Sequence, residues 1–205
     1  MPTIKRNWYP GGSYHVTARG NHKENIFSKK EDFAYYLTLV KEAVEYYRND
    51  KYEIISYCLM DNHVHLLIKT GEKPLGQFIG RINSKYAKYY NKKYNCIGHL
   101  FQDRYFSELI ESNSQMLETS RYIHLNPVRA KMTEKPENYE WSSYSMYIGN
   151  QKEDLIHSGQ ILSYFISNGR ESYKTYVESV KLETTPGAWK KRKKIPLGYF
   201  LCKDL

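Results

Sequence analysis

The order of predicted elements in this chain of 205 residues indicates an α+β fold, an antiparallel sheet with helices packed on it. Stretches that alternate with period two, typical of strands, are interspersed with stretches of three-and-four spacing, typical of helices. The resulting order is β-α-β-β-α-β-α. The second and third strands follow each other directly, and the short turn between them allows only an antiparallel arrangement.

The composition indicates a folded chain with an acidic partner. Hydrophobic residues make up 40% of the chain and tyrosine occurs 21 times, which excludes a disordered polycation. The formal net charge is +9 and nucleic acid is the usual partner of such a protein, although a basic surface facing solvent remains the alternative. Tyrosine rings and lysines together suit single-stranded nucleic acid, through base stacking and phosphate neutralisation.

Cysteine usage and the lack of long apolar stretches favour a cytoplasmic location. Cys58, Cys96 and Cys202 are odd in number and far apart, so neither a disulfide framework nor a zinc knuckle is expected. The first residues, Met1 to Arg6, lack the apolar stretch of a signal peptide, and no segment approaches the length of a membrane span. We therefore expect a cytoplasmic protein without membrane contact.

The first two predicted elements are a strand and a helix. The stretch Ser13–Arg19 is rich in β-forming residues, and His15 and Thr17 share one of its faces. A Ser-Lys-Lys-Glu capping-box pattern at 28–31 then predicts a helix over about 29–48. One helix face is apolar, with Phe33, Leu37, Val40, Val44 and Tyr47.

A β-hairpin carries two histidines. Residues 52–60 alternate as the second strand, and Asp61–Asn62 is a two-residue turn because both residue types tolerate positive φ. The third strand, residues 63–70, then returns antiparallel to the second. Its His63 and His65 point from the same face because side chains alternate along a strand, while Val64, Leu66 and Ile68 face the opposite way.

The second helix follows Pro74 and has two distinct sides. Its apolar side consists of Leu75, Phe78, Ile79, Ile82, Tyr86 and Tyr89. Its basic side consists of Arg81, Lys85, Lys88 and Lys92. No acidic residue lies between positions 81 and 95 to pair with these cations, which favours a track for phosphates over a solvated helix face.

A fourth strand and a third helix complete the predicted domain. The strand covers residues 104–110, and Ser112 to Gln115 is a capping-box pattern for the helix that follows. Pro127 disfavours helical dihedral angles at Asn126, so we expect this helix to end or kink there. After this helix the periodic patterns of the sequence weaken. We divide the chain into a domain, residues 1–150, and a basic C-terminal appendage, residues 151–205.

The histidine pair by itself leaves its chemistry open. Zinc usually has three or four protein ligands with cysteine or carboxylate among them, and no such ligand lies nearby in sequence. A neutral histidine pair with an amide or carboxylate suits Mg²⁺ or Mn²⁺, with positions open for phosphate oxygens. A structural role for both histidines is the alternative. Tyrosine, serine and cysteine are the available nucleophiles, and the composition selects none of them.

Four motifs occur in one order between residues 8 and 149. They are Tyr14-His-Val-Thr-Ala-Arg-Gly-Asn21, Met60-Asp-Asn-His-Val-His-Leu-Leu67, Gly98-His-Leu-Phe-Gln-Asp-Arg-Tyr105 and Tyr122-Ile-His-Leu-Asn-Pro-Val128. Together they closely resemble the single-tyrosine HUH transposases of the IS200-like superfamily, in particular the REP-associated tyrosine transposases. The combination is specific, whereas His-x-His alone is not. The resemblance implies the ferredoxin- or RRM-like fold of HUH nucleases.

The resemblance also implies the site residues and the reaction. It places a divalent metal, Mg²⁺ or Mn²⁺, on His63, His65 and Asn126, and it makes Tyr122 the nucleophile. Positions 122 and 126 share a helix face independently of the resemblance, because they are four residues apart. The implied activity is cleavage and rejoining of hairpin-associated single-stranded DNA through a 5′-phosphotyrosine intermediate.

The remaining predictions concern partners and further residues. Family members act on hairpins with single-stranded flanks, which makes candidate DNA contacts of Arg19, Asn21, Arg81, Lys85, Lys88 and Arg104. We expect His124 to be structural because it lies about 200° around the helix from Tyr122, and His99 to be a surface residue. The protein is expected to be a monomer or a homodimer.

Two other hypotheses remain open at this point. A non-catalytic regulator on the same fold would bind hairpin or single-stranded nucleic acid with steep salt dependence and form no covalent adduct. A metal phosphodiesterase that activates water would cleave DNA and leave none of it on the protein.

Overall fold

The structure, a computed structural model, describes residues 8–179, and its elements follow the predicted order. The strands are β1 (Ser13–Arg19), β2 (Glu53–Met60), β3 (His63–Lys69) and β4 (Phe106–Leu109). The helices are α1 (Lys30–Tyr46), α2 (Leu75–Tyr94), α3 (Asn113–Arg129), α4 (Tyr144–Tyr147), α5 (Gly159–Leu162) and α6 (Gly169–Glu178). The predicted α+β class is thereby confirmed. No helix within residues 8–179 is long and apolar enough to cross a lipid bilayer.

The four strands form one antiparallel sheet in the order β2-β3-β1-β4. With the β-α-β-β-α-β connection of its first elements, this is the ferredoxin-like arrangement. The two central strands are β1 and β3, and their register places Thr17 opposite His65 and Arg19 opposite His63. Because opposite residues on neighbouring strands share a face, β1 adds its own side chains to the histidine face.

The two faces of the sheet differ in polarity. On one face, Val64, Leu66 and Ile68 of β3 are fully buried, together with Val16 and Ala18 of β1. Helices α1 and α2 pack against each other and cover this apolar face. Helix α3 contacts β2 and β3 from the histidine face. The predicted alternation along β3 therefore separates the core from the candidate site.

Helix α1 begins differently from the prediction. Lys29 precedes its first turn, and the carboxylate Oδ2 of Asp32 accepts the backbone N–H groups of Ser28 and Lys29, each at 2.9 Å. The predicted capping box from Ser28 to Glu31 is therefore wrong by one residue. Position 32, and not position 31, is the third residue of the helix, and its side chain can reach back to the unpaired N–H groups.

The β2–β3 turn forms at Asp61–Asn62 as predicted, but neither residue has positive φ. Contacts outside the hairpin hold it in place. The Asp61 carbonyl oxygen accepts the N–H groups of Ile26 at 2.8 Å and Phe27 at 3.0 Å. The Asn62 carbonyl oxygen accepts the N–H of Gly20 at 2.9 Å, which ties the turn to the end of β1.

Helix α3 passes through Pro127 and ends at Arg129, so of the two predicted outcomes at Asn126, an end or a kink, the end is wrong. Its N-terminal cap is confirmed, because the Ser112 hydroxyl accepts a backbone N–H three residues further on, at 3.2 Å. A proline in the last turn removes one backbone donor only. The N–H of Ala130 still closes that turn on the Asn126 carbonyl oxygen at 2.9 Å.

The segment after residue 150 packs against the sheet and α3 as far as it is described. Ile156 forms a bridge with Ile54 at the β2 edge, and Tyr173 of α6 is fully buried. The division of the chain at residue 150 stays a prediction. The basic run at 190–194 lies outside the described residues.

Candidate active site

The site is built on the histidine pair at the start of β3. The ring centroids of His63 and His65 lie 4.8 Å apart, so both side chains leave the same face of the strand, as predicted. His65 is buried and His63 is half-buried. Both line a pocket of about 740 Å³ between the sheet, the N-terminal half of α3 and the segment before β4.

Helix α3 adds Tyr122 and Asn126 to this face. The Tyr122 ring centroid lies 5.5 Å from that of His65, with the rings edge to face. Asn126 lies one turn further along the helix and is buried. The structure therefore brings His63, His65 and Tyr122 together, with Asn126 one turn from Tyr122, while their roles as nucleophile and metal ligands stay predictions.

A third histidine, which the sequence analysis did not assign to the site, contacts the pair. His15 Nε2 lies 2.9 Å from His65 Nδ1, and Thr17 Oγ1 lies 3.2 Å from the same nitrogen. The His15 ring stacks on the His65 ring and meets the Tyr122 ring edge to face. The alternation of β1 already placed His15 and Thr17 on one face. The pairing of β1 with β3, which brings that face to His65, is visible only in the tertiary structure.

All three imidazoles are neutral at pH 7. Burial lowers the pKa of His15 to about 4. Burial, and then the nearby charge of Arg19, lower the pKa of His63 to about 4. Burial also holds the pKa of His65 well below its ordinary value, and the other two histidines and Arg19 act in the same direction. Neutral imidazole is the form that binds a metal ion.

Unpaired buried atoms show that the residues fit a metal ion. Within residues 8–179, His65 Nε2 and Asn126 Nδ2 are buried without a hydrogen-bond partner. His63 Nδ1 lies 2.6 Å from Asn62 Oδ1, which leaves its Nε2 for a ligand. The oxygen and nitrogen of an amide exchange by a half turn, so Asn126 can present its oxygen. No three histidine, cysteine or carboxylate side chains of the described part are grouped for metal binding.

The Tyr122 phenol lies among groups with opposing effects on its ionisation. Burial raises its pKa, while the Arg129 guanidinium and the Asn126 side chain favour the ionised form. The guanidinium carbon of Arg129 lies 5.2 Å from the centroid of the Tyr122 ring. Sequence reasoning missed Arg129, because the helix was expected to end at Asn126. The spacing of seven residues, two helical turns, is the signal that identifies it.

Of the predicted DNA contacts, Arg19 is the one that lines the pocket. It is exposed at the end of β1, opposite His63. Asn21 follows in a short turn, where its N–H donates to the Leu100 carbonyl oxygen at 2.9 Å. Arg104 is exposed and lines a second groove, next to α2.

The three predicted DNA contacts on α2 lie apart from the pocket. The Arg81 guanidinium carbon lies 3.6 Å from the centroid of the Tyr46 ring, and Lys85 Nζ lies 2.8 Å from a carboxylate oxygen of Glu42. Both partners, Tyr46 and Glu42, belong to α1. Lys88 is exposed. The premise that Arg81 and Lys85 lack partners is therefore wrong, since the partners come from another helix.

His124 is structural, as predicted. It is fully buried, with Nδ1 2.7 Å from the Tyr173 hydroxyl and Nε2 2.8 Å from the Ser143 hydroxyl. His99 is exposed, as predicted. Neither histidine lines the pocket that contains Tyr122.

The ferredoxin-like sheet defines the class of this protein as an α+β fold, with a tyrosine, imidazoles and arginines converging on one face. More particularly, the chain belongs to the family described as "Transposase IS200 like", whose model matches residues 9–126.

Two individual proteins illustrate the similarity. A protein of Haemophilus influenzae named "Putative REP-associated tyrosine transposase" is 24% identical over 158 residues, which cover 70% of this chain and 86% of that protein. A solved structure of a REP-associated tyrosine transposase bound to a REP hairpin has a TM-score of 0.59 at 15% identity, and covers 78% of this chain and 93% of its own. The resemblance drawn from the four motifs is thus confirmed.

Proposed function

We propose that this transposase cleaves and rejoins hairpin-associated single-stranded DNA through a 5′-phosphotyrosine intermediate on Tyr122. One observation carries the proposal: α3 places the Tyr122 ring 5.5 Å from the His65 ring, with Asn126 on the next turn. The similarity to a transposase bound to a REP hairpin supports a hairpin substrate. The proposed location is the cytoplasm.

In the proposed reaction the Tyr122 oxygen attacks the scissile phosphorus in line with the departing 3′ oxygen. A bond forms between phosphorus and the tyrosine oxygen, the bond to the 3′ oxygen breaks, and the released oxygen takes up a proton. The products are a 5′-phosphotyrosine and a free 3′-hydroxyl. Because the new ester preserves the energy of the phosphodiester, another 3′-hydroxyl can displace Tyr122 without ATP.

Two arginines support this step from the chain itself. Arg129 lies beside the Tyr122 ring, and Arg19 lines the same pocket next to His63. Their guanidinium groups can hold phosphate oxygens and stabilise the negative charge that develops in the transition state. Arg129 also favours the ionised phenol, which offsets part of the effect of burial on the Tyr122 pKa.

The residues that would hold a divalent metal, Mg²⁺ or Mn²⁺, are His63, His65 and Asn126. The unpaired Nε2 of His65 and the unpaired Nδ2 of Asn126, whose amide can turn to present its oxygen, support this assignment. When bound, the metal would supply positive charge that polarises the scissile phosphate.

The first prediction tests the nucleophile. Tyr122→Phe should abolish the covalent protein–DNA adduct, because no oxygen remains to form the ester, and should change DNA affinity by less than about twofold. A labelled hairpin with single-stranded flanks, resolved on a denaturing gel, reports the adduct. Tyr46→Phe, which changes an exposed tyrosine, is the matched control. An adduct formed by Tyr122→Phe would exclude Tyr122 as the nucleophile.

The second prediction tests the metal. His63→Ala and chelation with EDTA should each reduce cleavage at least about 100-fold, and added Mn²⁺ should restore it in the chelated wild type only. Undiminished cleavage in EDTA contradicts the metal site. Cleavage without DNA on the protein indicates activated water as the nucleophile, and binding with neither product indicates a regulator.

A further inference from the structure

A second groove, which we call the α2 groove, lies on the other side of the segment before β4 and has a volume of about 950 Å³. It is lined by small residues of α2 and by aromatic rings: Gly76, Gly80, Ala87, Trp8, Phe101 and Tyr105. A Cβ atom at Gly80 would meet no atom within 4 Å, so the groove is open along the helix at this point. Small residues on one wall let a flat ring approach the helix closely.

A buried amide donor faces this groove without a partner. Asn83 is 7% exposed, and its Oδ1 accepts a hydrogen bond from the buried Tyr36 hydroxyl at 3.0 Å. This bond fixes the amide, so the NH₂ group is turned away from Tyr36. Within residues 8–179, Asn83 Nδ2 has no hydrogen-bond partner, and the same holds for the buried indole Nε1 of Trp8. Such buried donors destabilise the fold unless an acceptor reaches them.

The groove adjoins the candidate active site. Gln102, Asp103 and Tyr105 line both the pocket and the α2 groove. The Gln102 N–H donates to the Arg19 carbonyl oxygen at 2.9 Å, which fixes this segment to the end of β1. A single strand that leaves the pocket along this segment therefore reaches the groove.

The groove's chemistry fits a nucleobase better than a phosphate. Its walls are aromatic or small, and its two unpaired donors, on Asn83 and Trp8, are neutral. The charged residues that line it, Asp103 and Arg104, are opposite in sign and exposed, so they create no concentrated positive charge. Nucleobases have flat faces for stacking and ring edges with oxygen and nitrogen acceptors.

We propose that the α2 groove binds one unpaired nucleobase of the single-stranded DNA next to the cleavage site. The aromatic side chains stack on the base, and the N–H groups of Asn83 and Trp8 donate to acceptors on its edge. This inference rests on the proposed function, since it requires single-stranded DNA in the adjoining pocket.

Filling the groove tests the proposal. Gly80→Leu places a large side chain in open space and suits a helix better than glycine, so the fold is expected to be kept. The probe is a fluorescein-labelled hairpin with a flank of about ten thymidines, compared with the same hairpin without a flank. Gly80→Leu should weaken binding of the flanked hairpin about 5- to 100-fold and leave that of the blunt hairpin unchanged. Gln77→Leu, exposed on the same helix outside the groove, should match the wild type.

A photo-crosslink provides the second measurement. With 5-iodouracil in place of the flank thymines, irradiation should attach the DNA to Trp8, Phe101 or Tyr105, and Gly80→Leu should remove this attachment. Equal affinity of Gly80→Leu and wild type for the flanked hairpin, or attachment only outside the groove, overturns the proposal. The Tyr122 adduct is measured on the same samples. Loss of base binding in the groove can therefore be distinguished from loss of cleavage by Tyr122.

Discussion

At the scale of single residues, the contact between His15 and His65 determines how the site is held. If His65 Nε2 binds a metal, its Nδ1 carries the proton and donates to His15 Nε2 at 2.9 Å, with Thr17 Oγ1 as a second acceptor at 3.2 Å. A hydrogen bond to the second ring nitrogen fixes the tautomer and orientation of a histidine ligand. With a metal on His65, His15 would be a positioning residue, acting through His65.

We expect His15→Ala to lower the affinity for Mn²⁺ about 10- to 100-fold, the usual effect of removing the hydrogen-bond partner of a ligand. Electron paramagnetic resonance of free Mn²⁺ measures the affinity without reference to cleavage. His15→Gln, whose side-chain oxygen can accept the same bond, should recover part of it. The exposed His99→Ala is the control, and equal affinities of His15→Ala and His99→Ala would contradict the role of His15.

At the scale of elements, Asp32 joins the start of α1 to the end of α2. Its carboxylate accepts hydrogen bonds from Lys93 Nζ at 2.6 Å and the Tyr94 hydroxyl at 2.7 Å, besides the two backbone N–H groups of the α1 cap. Burial disfavours the charged form, but these hydrogen bonds outweigh burial and lower the pKa of Asp32 to about 2. The Asp32 side chain thus accepts unpaired N–H groups at the start of α1 and holds the end of α2 in place.

Asp32→Ala should lower the free energy of unfolding by about 3 kcal/mol, because it removes the cap and leaves buried donors unpaired. The exposed Glu31→Ala should change it by less than about 0.5 kcal/mol, as for other surface substitutions. Urea unfolding measures both. Equal losses of unfolding free energy in the two variants would instead support the capping box at Glu31 that the sequence predicted.

The Asp32 carboxylate also makes the stability of the fold depend on pH. The pKa of Asp32 is lower in the folded chain, about 2, than its ordinary value of 3.8. The resulting stabilisation, roughly 2 kcal/mol, is present above about pH 4 and is lost as the pH falls towards 2. Asp32→Asn should show a smaller loss of stability over this interval than the wild type.

The elements themselves were largely predictable, and their pairings were not. Period-two and three-and-four spacing placed the four strands and three main helices, because the sheet and helix faces must be apolar where they are buried. The basic residues Arg81 and Lys85 looked unpaired along α2, but Tyr46 and Glu42 lie beside them. A search along one helix cannot find a partner on another.

At the scale of the whole molecule, α6 packs against α3 on the side away from the pocket. The Tyr173 hydroxyl lies 2.7 Å from His124 Nδ1 and within hydrogen-bond distance of the Ser120 hydroxyl, and all three side chains are fully buried. His124 is two residues from Tyr122. The segment after residue 150 thus supports the helix that carries the proposed nucleophile.

Tyr173→Phe should lower the free energy of unfolding by about 1–3 kcal/mol, because His124 and Ser120 lose a buried partner. Tyr46→Phe, at an exposed ring, should be neutral and serves as the control. Chemical denaturation measures both variants. An unchanged midpoint for Tyr173→Phe would show that the contact between α6 and α3 contributes little stability.

The sequence by itself determined the class of fold, the order of its elements, the shared face of His63 and His65, and, through four motifs, the family. These features depend on local periodicity and on residue identity, which are written along the chain. Only the tertiary structure decided that His15 contacts His65, that α3 continues through Pro127 to bring Arg129 beside Tyr122, and that Asp32 joins two helices. The contacts of His15 and Asp32 depend on the packing of segments distant in sequence, and packing outweighs local preference when buried groups need partners.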